Sequence, residues 1–100
     1  MEEKKVDSNV VMVGIKPFMN YVTALKIQFD KNNEVFVMAR GKFISKAFDV
    51  IEVCKRNFLK DCNVVYKDIK VLSQPFVVRD SNKEIYVSSI EVKLLKEEKI

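Results

Sequence analysis

Histidine and tryptophan are absent from this sequence of 100 residues, which also has only two cysteines, two glycines and two prolines. Without an imidazole, the chain lacks a histidine general base and every histidine ligand for zinc. Cys54 and Cys62 are too few for a four-ligand zinc site. We expect both thiols to pack as small apolar groups in a reducing compartment, with a disulfide between them as the alternative.

Long hydrophobic runs are also missing. No segment approaches the roughly 20 apolar residues of a membrane span, and residues 1–7 are charged, without the apolar stretch of a signal peptide behind them. We therefore expect a cytoplasmic protein that does not contact a membrane. The length predicts a single domain over residues 1–100, with frayed tails at residues 1–7 and 95–100.

The net charge of +4 arises from one part of the chain. Between residues 8 and 48 there are two acidic residues, Asp30 and Glu34, and six basic ones: Lys16, Lys26, Lys31, Arg40, Lys42 and Lys46. Outside that segment the basic and acidic residues are equal in number. A localised positive charge permits an anionic partner such as nucleic acid, while a chance distribution of solvated lysines is the alternative.

Hydrophobic periodicity predicts the element order β-α-β-α-β-β. An apolar run over residues 10–13 predicts a strand, and apolar residues at helical spacing predict a helix that begins at Pro17. Residues 34–39 predict a second strand, whose unbroken apolar character indicates burial on both faces. A second amphipathic helix is expected over residues 44–58.

The rest of the chain predicts a long hairpin. Its two strands are expected over residues 64–78 and 84–94, with a turn over 79–83. Pro75 inside the first strand indicates an edge position or a bulge. The apolar alternation of the second strand changes parity at Ser88 and Ser89, which predicts a bulge there.

These elements predict an α/β fold: a two-layer sandwich in which two helices cover one face of a mixed four-stranded sheet, with a long β3-β4 hairpin arm. Two helices cover only one face of four strands. The hairpin also contains more apolar side chains than one small core uses. A homodimer would bury this surplus.

Four segments of the chain carry a family resemblance. They are GIKPFMNYV (residues 14–22), ARGKFISKA (39–47), RNFL (56–59) and IKVLSQ (69–74). In this order and spacing they resemble the Alba family of archaeal DNA/RNA-binding chromatin proteins, over about residues 8–94. The resemblance implies a fold akin to the C-terminal domain of translation initiation factor three, and a homodimer whose hairpin arms lie along double-stranded DNA or RNA. It also implies a chromosome-associated protein that condenses DNA, with no cofactor and no small-molecule substrate.

The same resemblance implies a set of nucleic-acid-binding residues: Lys16, Asn20, Tyr21, Arg40, Gly41, Lys42, Arg79 and Lys83. It places a contact between neighbouring dimers at Asn57 and Phe58, where many relatives have arginine in place of Asn57. Ile15 also departs from the family, because many members carry here a lysine that is acetylated. The acetylation switch is therefore not expected in this chain.

The residues themselves support such a site. Lys16 and residues 40–42 each follow a predicted strand and precede a predicted helix, so both junctions are expected at the same end of the sheet. Free N–H groups at helix starts favour phosphate, and Gly41 lets a backbone approach closely. The alternative is that Lys16 and Lys42 are ordinary solvated loop residues.

The predicted function is that of a nucleic-acid-binding architectural protein, which contacts phosphates with little readout of bases. One alternative is an RNA-binding subunit of an RNA-processing particle such as ribonuclease P. Another is a protein-interaction module with an incidental basic patch. An enzyme is disfavoured, because Asp49 and Glu52 are expected to be solvated helix residues and no phosphate-binding glycine loop or activated nucleophile is evident.

Overall fold

The computed structural model describes residues 9 to 98 and has the predicted order of elements. These are β1 (Val10–Val13), α1 (Phe18–Lys31), β2 (Glu34–Arg40), a short 3-10 turn (Gly41–Phe43), α2 (Ile44–Phe58), β3 (Cys62–Val78) and β4 (Lys83–Glu98). The strands form one sheet in the order β1-β2-β4-β3. Because β1 is parallel to β2 and the other neighbours are antiparallel, the predicted mixed four-stranded sheet is confirmed.

Each helix packs one apolar stripe against the sheet, with buried residues three and four positions apart. The buried residues are Tyr21, Val22, Leu25 and Phe29 in α1, and Ala47, Val50, Ile51 and Cys54 in α2. Pro17 precedes α1 in an extended conformation, so the helix begins one residue later than predicted. Near the end of α1, the Lys96 ammonium donates a hydrogen bond to the carbonyl of Phe29. The charge of Lys96 also stabilises the negative end of the helix dipole.

The central strand β2 alternates between buried and half-buried side chains. Val35 and Val37 lie in the core, whereas Phe36 and Met38 lie on the opposite face of the sheet. The prediction that β2 is buried on both faces is therefore wrong. The helices cover one face only, and on the other face Met12 of β1 remains 61% exposed.

The surroundings of β4 change along its length. Ile90 and Leu94 are buried in the core, while Ile85, further out along the same strand, is exposed. The register between β3 and β4 is continuous through Ser88 and Ser89, so the predicted bulge there is wrong. The apolar parity changes because the strand leaves the part of the sheet that the helices cover and enters the arm.

The irregularity of this hairpin lies in β3, where the register shifts between Tyr66 and Asp68. Because β3 is an edge strand, Pro75 is tolerated within it although it cannot donate a hydrogen bond. Strands of 17 and 16 residues extend well beyond the helices and give the molecule dimensions of 55 × 34 × 24 Å. The long hairpin arm is thus confirmed.

The end of β4 differs from the prediction. The strand continues to Glu98 and pairs with the start of β3, so residues 95–98 are not a frayed tail. The predicted tails at residues 1–7 and 99–100 lie outside the described residues. None of the described helices is long and apolar enough to cross a membrane.

Both cysteines are free thiols, as expected. Cys54 lies in the core, and its burial raises the pKa of the thiol to about 11. Its Sγ donates a weak hydrogen bond to the carbonyl of Val22 at 3.7 Å, which links α2 to α1. Cys62 is half-buried at the start of β3 and packs against the same core.

Phe29 and Phe58 provide a matched test of where the core ends. Phe29 is fully buried, whereas Phe58, the last residue of α2, is 46% exposed. We expect Phe29→Ala to lower the free energy of unfolding by about 3–5 kcal/mol. Phe58→Ala should lower it by about 1 kcal/mol or less, because less apolar area is lost. Chemical denaturation at one protein concentration measures both values, and equal losses would place Phe58 in the core.

Candidate nucleic-acid interface

The junction between β1 and α1 and the junction between β2 and α2 lie side by side at one end of the sheet. A groove of about 530 Å³ is lined by residues from both junctions and from the base of the arm, including Gly14, Arg40, Lys42, Gln74 and Val87. The parallel pairing of β1 and β2 produces this arrangement, because both strands end at the same edge before their helices begin. The predicted placement of the two basic junctions at one end is confirmed.

Lys46 joins the two junctions. From the first turn of α2, its Nζ donates hydrogen bonds to the backbone carbonyls of Gly14 and Lys16, at 2.7 Å each. The ammonium also lies 5.1 Å from the ring centre of Tyr21 and 5.7 Å from that of Phe43. At these distances a cation is attracted to an aromatic ring. The start of α2 is therefore attached to the loop that precedes α1.

The loop that carries Lys16 has a second attachment. The hydroxyl of Tyr21 accepts a hydrogen bond from the backbone N–H of Lys16 at 3.0 Å. Tyr21 itself is only 8% exposed, so its ring belongs to the core while its hydroxyl reaches the loop. The backbone of Lys16 is thus held on both sides, and its side chain is exposed to solvent.

The second junction depends on Gly41. Its φ of +54° lies in the left-handed region, which favours glycine. A Cβ at this position would lie 3.4 Å from Cγ1 of Val87, so the turn passes close to the base of the arm. Arg40 and Lys42 are exposed on either side of the glycine, and the Lys42 ammonium lies 5.5 Å from the ring centre of Phe43.

The positive charge of the two junctions is not neutralised by an ion pair within residues 9–98. The acidic residues of the basic segment form pairs elsewhere, Asp30 with Lys26 at 2.7 Å and Glu34 with Lys93 at 3.0 Å. Neither helix has an acidic residue in its first turn or a side chain that caps its N-terminus. Exposed cations beside uncapped helix starts favour the binding of anions such as phosphate.

Comparison with known proteins identifies the family. The Alba family model matches residues 9–73. The chain belongs to the Alba family. It is 46% identical over 89 residues to the DNA/RNA-binding protein Alba of Methanothrix thermoacetophila, a match that covers 88% of this chain and 96% of that protein. The DNA/RNA-binding protein Alba of Thermoplasma acidophilum is 40% identical over 89 residues, with the same coverage.

Solved Alba structures have the same fold. Alba from Thermoplasma volcanium gives a TM-score of 0.76 at 39% identity and covers 87% of this chain and 99% of its own. An Alba protein from Trypanosoma brucei gives a TM-score of 0.67 at 29% identity and covers 90% of this chain and 70% of its own. These matches confirm the predicted family and fold. The relatives are named as DNA/RNA-binding proteins and not as enzymes, in agreement with the prediction.

The residues implied by the Alba resemblance fall into three places. Those at the paired junctions are Lys16, Asn20, Arg40, Gly41 and Lys42, with Tyr21 buried directly beneath. Arg79 and Lys83 lie at the tip of the arm. Asn57 and Phe58 are exposed at the end of α2, roughly 20 Å along the helix from its start. Contact of each residue with nucleic acid, or with a neighbouring dimer, stays a prediction.

Lys46 lies at the Alba junctions but is not among the nucleic-acid-binding residues that the resemblance implies. In the sequence it is one of six basic residues in a positively charged segment and part of the segment ARGKFISKA. A cation in the first turn of a helix lies at the positive end of the helix dipole, which is unfavourable unless other groups stabilise it. That unfavourable position is a signal, visible in the sequence, that Lys46 has acceptors nearby.

A separate polar cluster lies two turns further along α2. The hydroxyl of Tyr66 donates a hydrogen bond to Glu52, which also forms an ion pair with Lys55 at 3.5 Å. The hydrogen bond from Tyr66 lowers the pKa of Glu52, while burial and the contact with Glu52 raise the pKa of Tyr66. The cluster connects α2 to the edge strand β3. Within residues 9–98, no group of three or more acidic or thiol side chains could hold a metal ion.

Proposed function

We propose that this chain is a nucleic-acid-binding architectural protein whose paired junctions contact the phosphates of double-stranded DNA and of RNA. The observation that carries the proposal is the grouping of Lys16, Arg40 and Lys42, all exposed, at the uncapped starts of both helices. Support also comes from the Alba relatives, which are named as DNA/RNA-binding proteins. Contacts of this kind are independent of sequence, because phosphates occur in every sequence, and we propose that they let the protein bind along a chromosome.

The arm extends the proposed contact surface. Arg79 and Lys83 lie at its tip, and β3 continues for four residues beyond the groove residue Gln74 before it ends at Val78. At about 3.3 Å per residue, the tip lies more than 10 Å further out than the groove. The two basic residues would therefore meet the backbone of the same nucleic acid at a second position.

A homodimer is part of the proposal. Ile69 and Val71 pair with Val92 and Ile90 of β4, and so lie on the face of the sheet that carries the core. Nevertheless they are 46% and 69% exposed, whereas Val92 and Ile90 are buried. A second copy of the chain would bury this uncovered continuation of the core and would double the number of basic junctions.

Affinity for duplex DNA should depend steeply on salt. If a dimer places about four to six cations near phosphates, the logarithm of the association constant should fall against the logarithm of salt concentration with a slope of about −4 to −5. Lys16→Ala removes two of these contacts per dimer, so the slope should become shallower by roughly 2. Fluorescence anisotropy titrations at several salt concentrations, on two unrelated DNA duplexes and one RNA duplex, measure these slopes.

Lys31→Ala is the matched control for this experiment. Lys31 is the exposed last residue of α1, roughly 20 Å along the helix from the junctions, and the variant loses the same charge. It should leave the slope nearly unchanged. Equal changes for both variants would show that diffuse charge binds the nucleic acid, and no binding at low salt would overturn the proposal. Binding to one structured RNA alone would favour a role in RNA processing.

The dimer is tested by sedimentation equilibrium at micromolar concentration, where we expect a mass of about twice the 11.6 kDa of one chain. Val71→Glu places a charge on the uncovered face and should shift the equilibrium to the monomer without unfolding it, because Val71 is already exposed. Leu72→Glu is the control, since Leu72 is also exposed but lies on the opposite face of β3. A single 11.6 kDa species for the unsubstituted chain would contradict the dimer.

Phe58 is proposed to promote side-by-side assembly of dimers on nucleic acid. The exposed ring at the end of α2 provides an apolar contact beside Asn57. Phe58→Ala should lower the Hill coefficient for binding to long duplexes towards 1, with little change in melting temperature. Ile27→Ala is the control, because Ile27 is 45% exposed on α1, close to the 46% of Phe58. Equal cooperativity in both variants and the unsubstituted protein would exclude this contact.

A further inference from the structure

We infer that Lys46 is a positioning residue for nucleic-acid binding: its ammonium fixes the loop between β1 and α1 so that Lys16 meets the same phosphate backbone as Arg40 and Lys42. The inference rests on the proposed function. It goes further by assigning a role to a cation at the site that does not itself contact the nucleic acid.

The hydrogen bonds of Lys46 direct its charge inwards. An ammonium group has three N–H donors, and two of them point to the carbonyls of Gly14 and Lys16 at 2.7 Å. The rings of Tyr21 and Phe43 lie within 6 Å of the same nitrogen. Lys46 is half-buried, in contrast to the exposed Lys16 and Lys42. The charge of Lys46 therefore interacts with groups of the protein itself, whereas the charges of Lys16 and Lys42 face solvent.

The position of Lys46 in α2 explains why its charge is needed. In the first turn of a helix a cation is repelled by the positive end of the dipole. The two carbonyl oxygens of the loop offset this repulsion, so the helix start and the loop stabilise each other. Without Lys46, the carbonyls of Gly14 and Lys16 lose their hydrogen-bond donor. The hydrogen bond from the Lys16 N–H to Tyr21 Oη would then be the remaining one of these three attachments of the loop.

A double-mutant cycle tests this role. Lys46→Met removes the donors but keeps an unbranched side chain against Tyr21 and Phe43. It should weaken binding to duplex DNA about tenfold in the unsubstituted background, and about twofold or less when Lys16 is already alanine, because residues acting through one another are not additive. The same loss in both backgrounds would show that Lys46 contacts phosphate directly, and would overturn the inference. Lys31→Met, which removes the same charge at a distance, should change binding in neither background.

A second measurement needs no nucleic acid. Hydrogen exchange of the Lys16 amide should become about tenfold faster in Lys46→Met, and should return close to the original rate in Lys46→Arg, which keeps N–H donors. If Lys46→Met does not fold, Lys46→Gln, which keeps one amide donor group, replaces it in both measurements. Unchanged exchange would overturn the role of Lys46 even if the unsubstituted protein binds DNA. Failure of the unsubstituted protein to bind would instead overturn the proposed function.

Discussion

Two helices cover less of the sheet than its four strands offer, and most features of this molecule follow from that mismatch. The helices have 14 and 15 residues, so each is roughly 20 Å long, whereas the hairpin strands of 17 and 16 residues are more than twice that length. Over the body, Val92 and Leu94 are completely buried. Beyond the helices the same two strands expose apolar side chains on both faces. One chain thus combines a closed core, an uncovered edge and an arm.

The same layer of helices determines where the basic site forms. Both helices begin at the edge where the parallel strands end, so their positive dipole ends lie together. The backbone has a large part in the geometry there. Gly41 supplies a left-handed turn, and the carbonyls of Gly14 and Lys16 supply the acceptors for Lys46. A site built in this way depends on the relative position of two helices, which the core beneath Tyr21 maintains.

Sequence patterns predict the helices and strands, but they do not predict what packs against each of them. Helix periodicity and strand composition predict the order of the elements and, apart from the end of β4, their approximate ends, because these depend on neighbouring residues. Three predictions are wrong because each depends on what packs against the strand. These are burial on both faces of β2, a bulge at Ser88 and a frayed tail from residue 95. For the site, the two junctions followed from the element order and the parallel sheet. The buried ring of Tyr21 and the inward ammonium of Lys46 required three-dimensional contacts.

The lysines of the basic segment differ in whether an oxygen acceptor lies within hydrogen-bond distance of the ammonium group. Lys46 has two carbonyl oxygens at 2.7 Å, and Lys26 has the carboxylate of Asp30. Lys16 and Lys42 have no such partner among the described residues, although they lie where a positive charge is least favourable in the isolated chain. The fold places cations at the positive helix ends, while the acidic residues of the same segment, Asp30 and Glu34, lie at the far end of α1 and the opposite end of β2. It therefore retains an unfavourable local field at the junctions. An anion that spans both junctions relieves that field, and a nucleic-acid backbone supplies such charges at regular spacing.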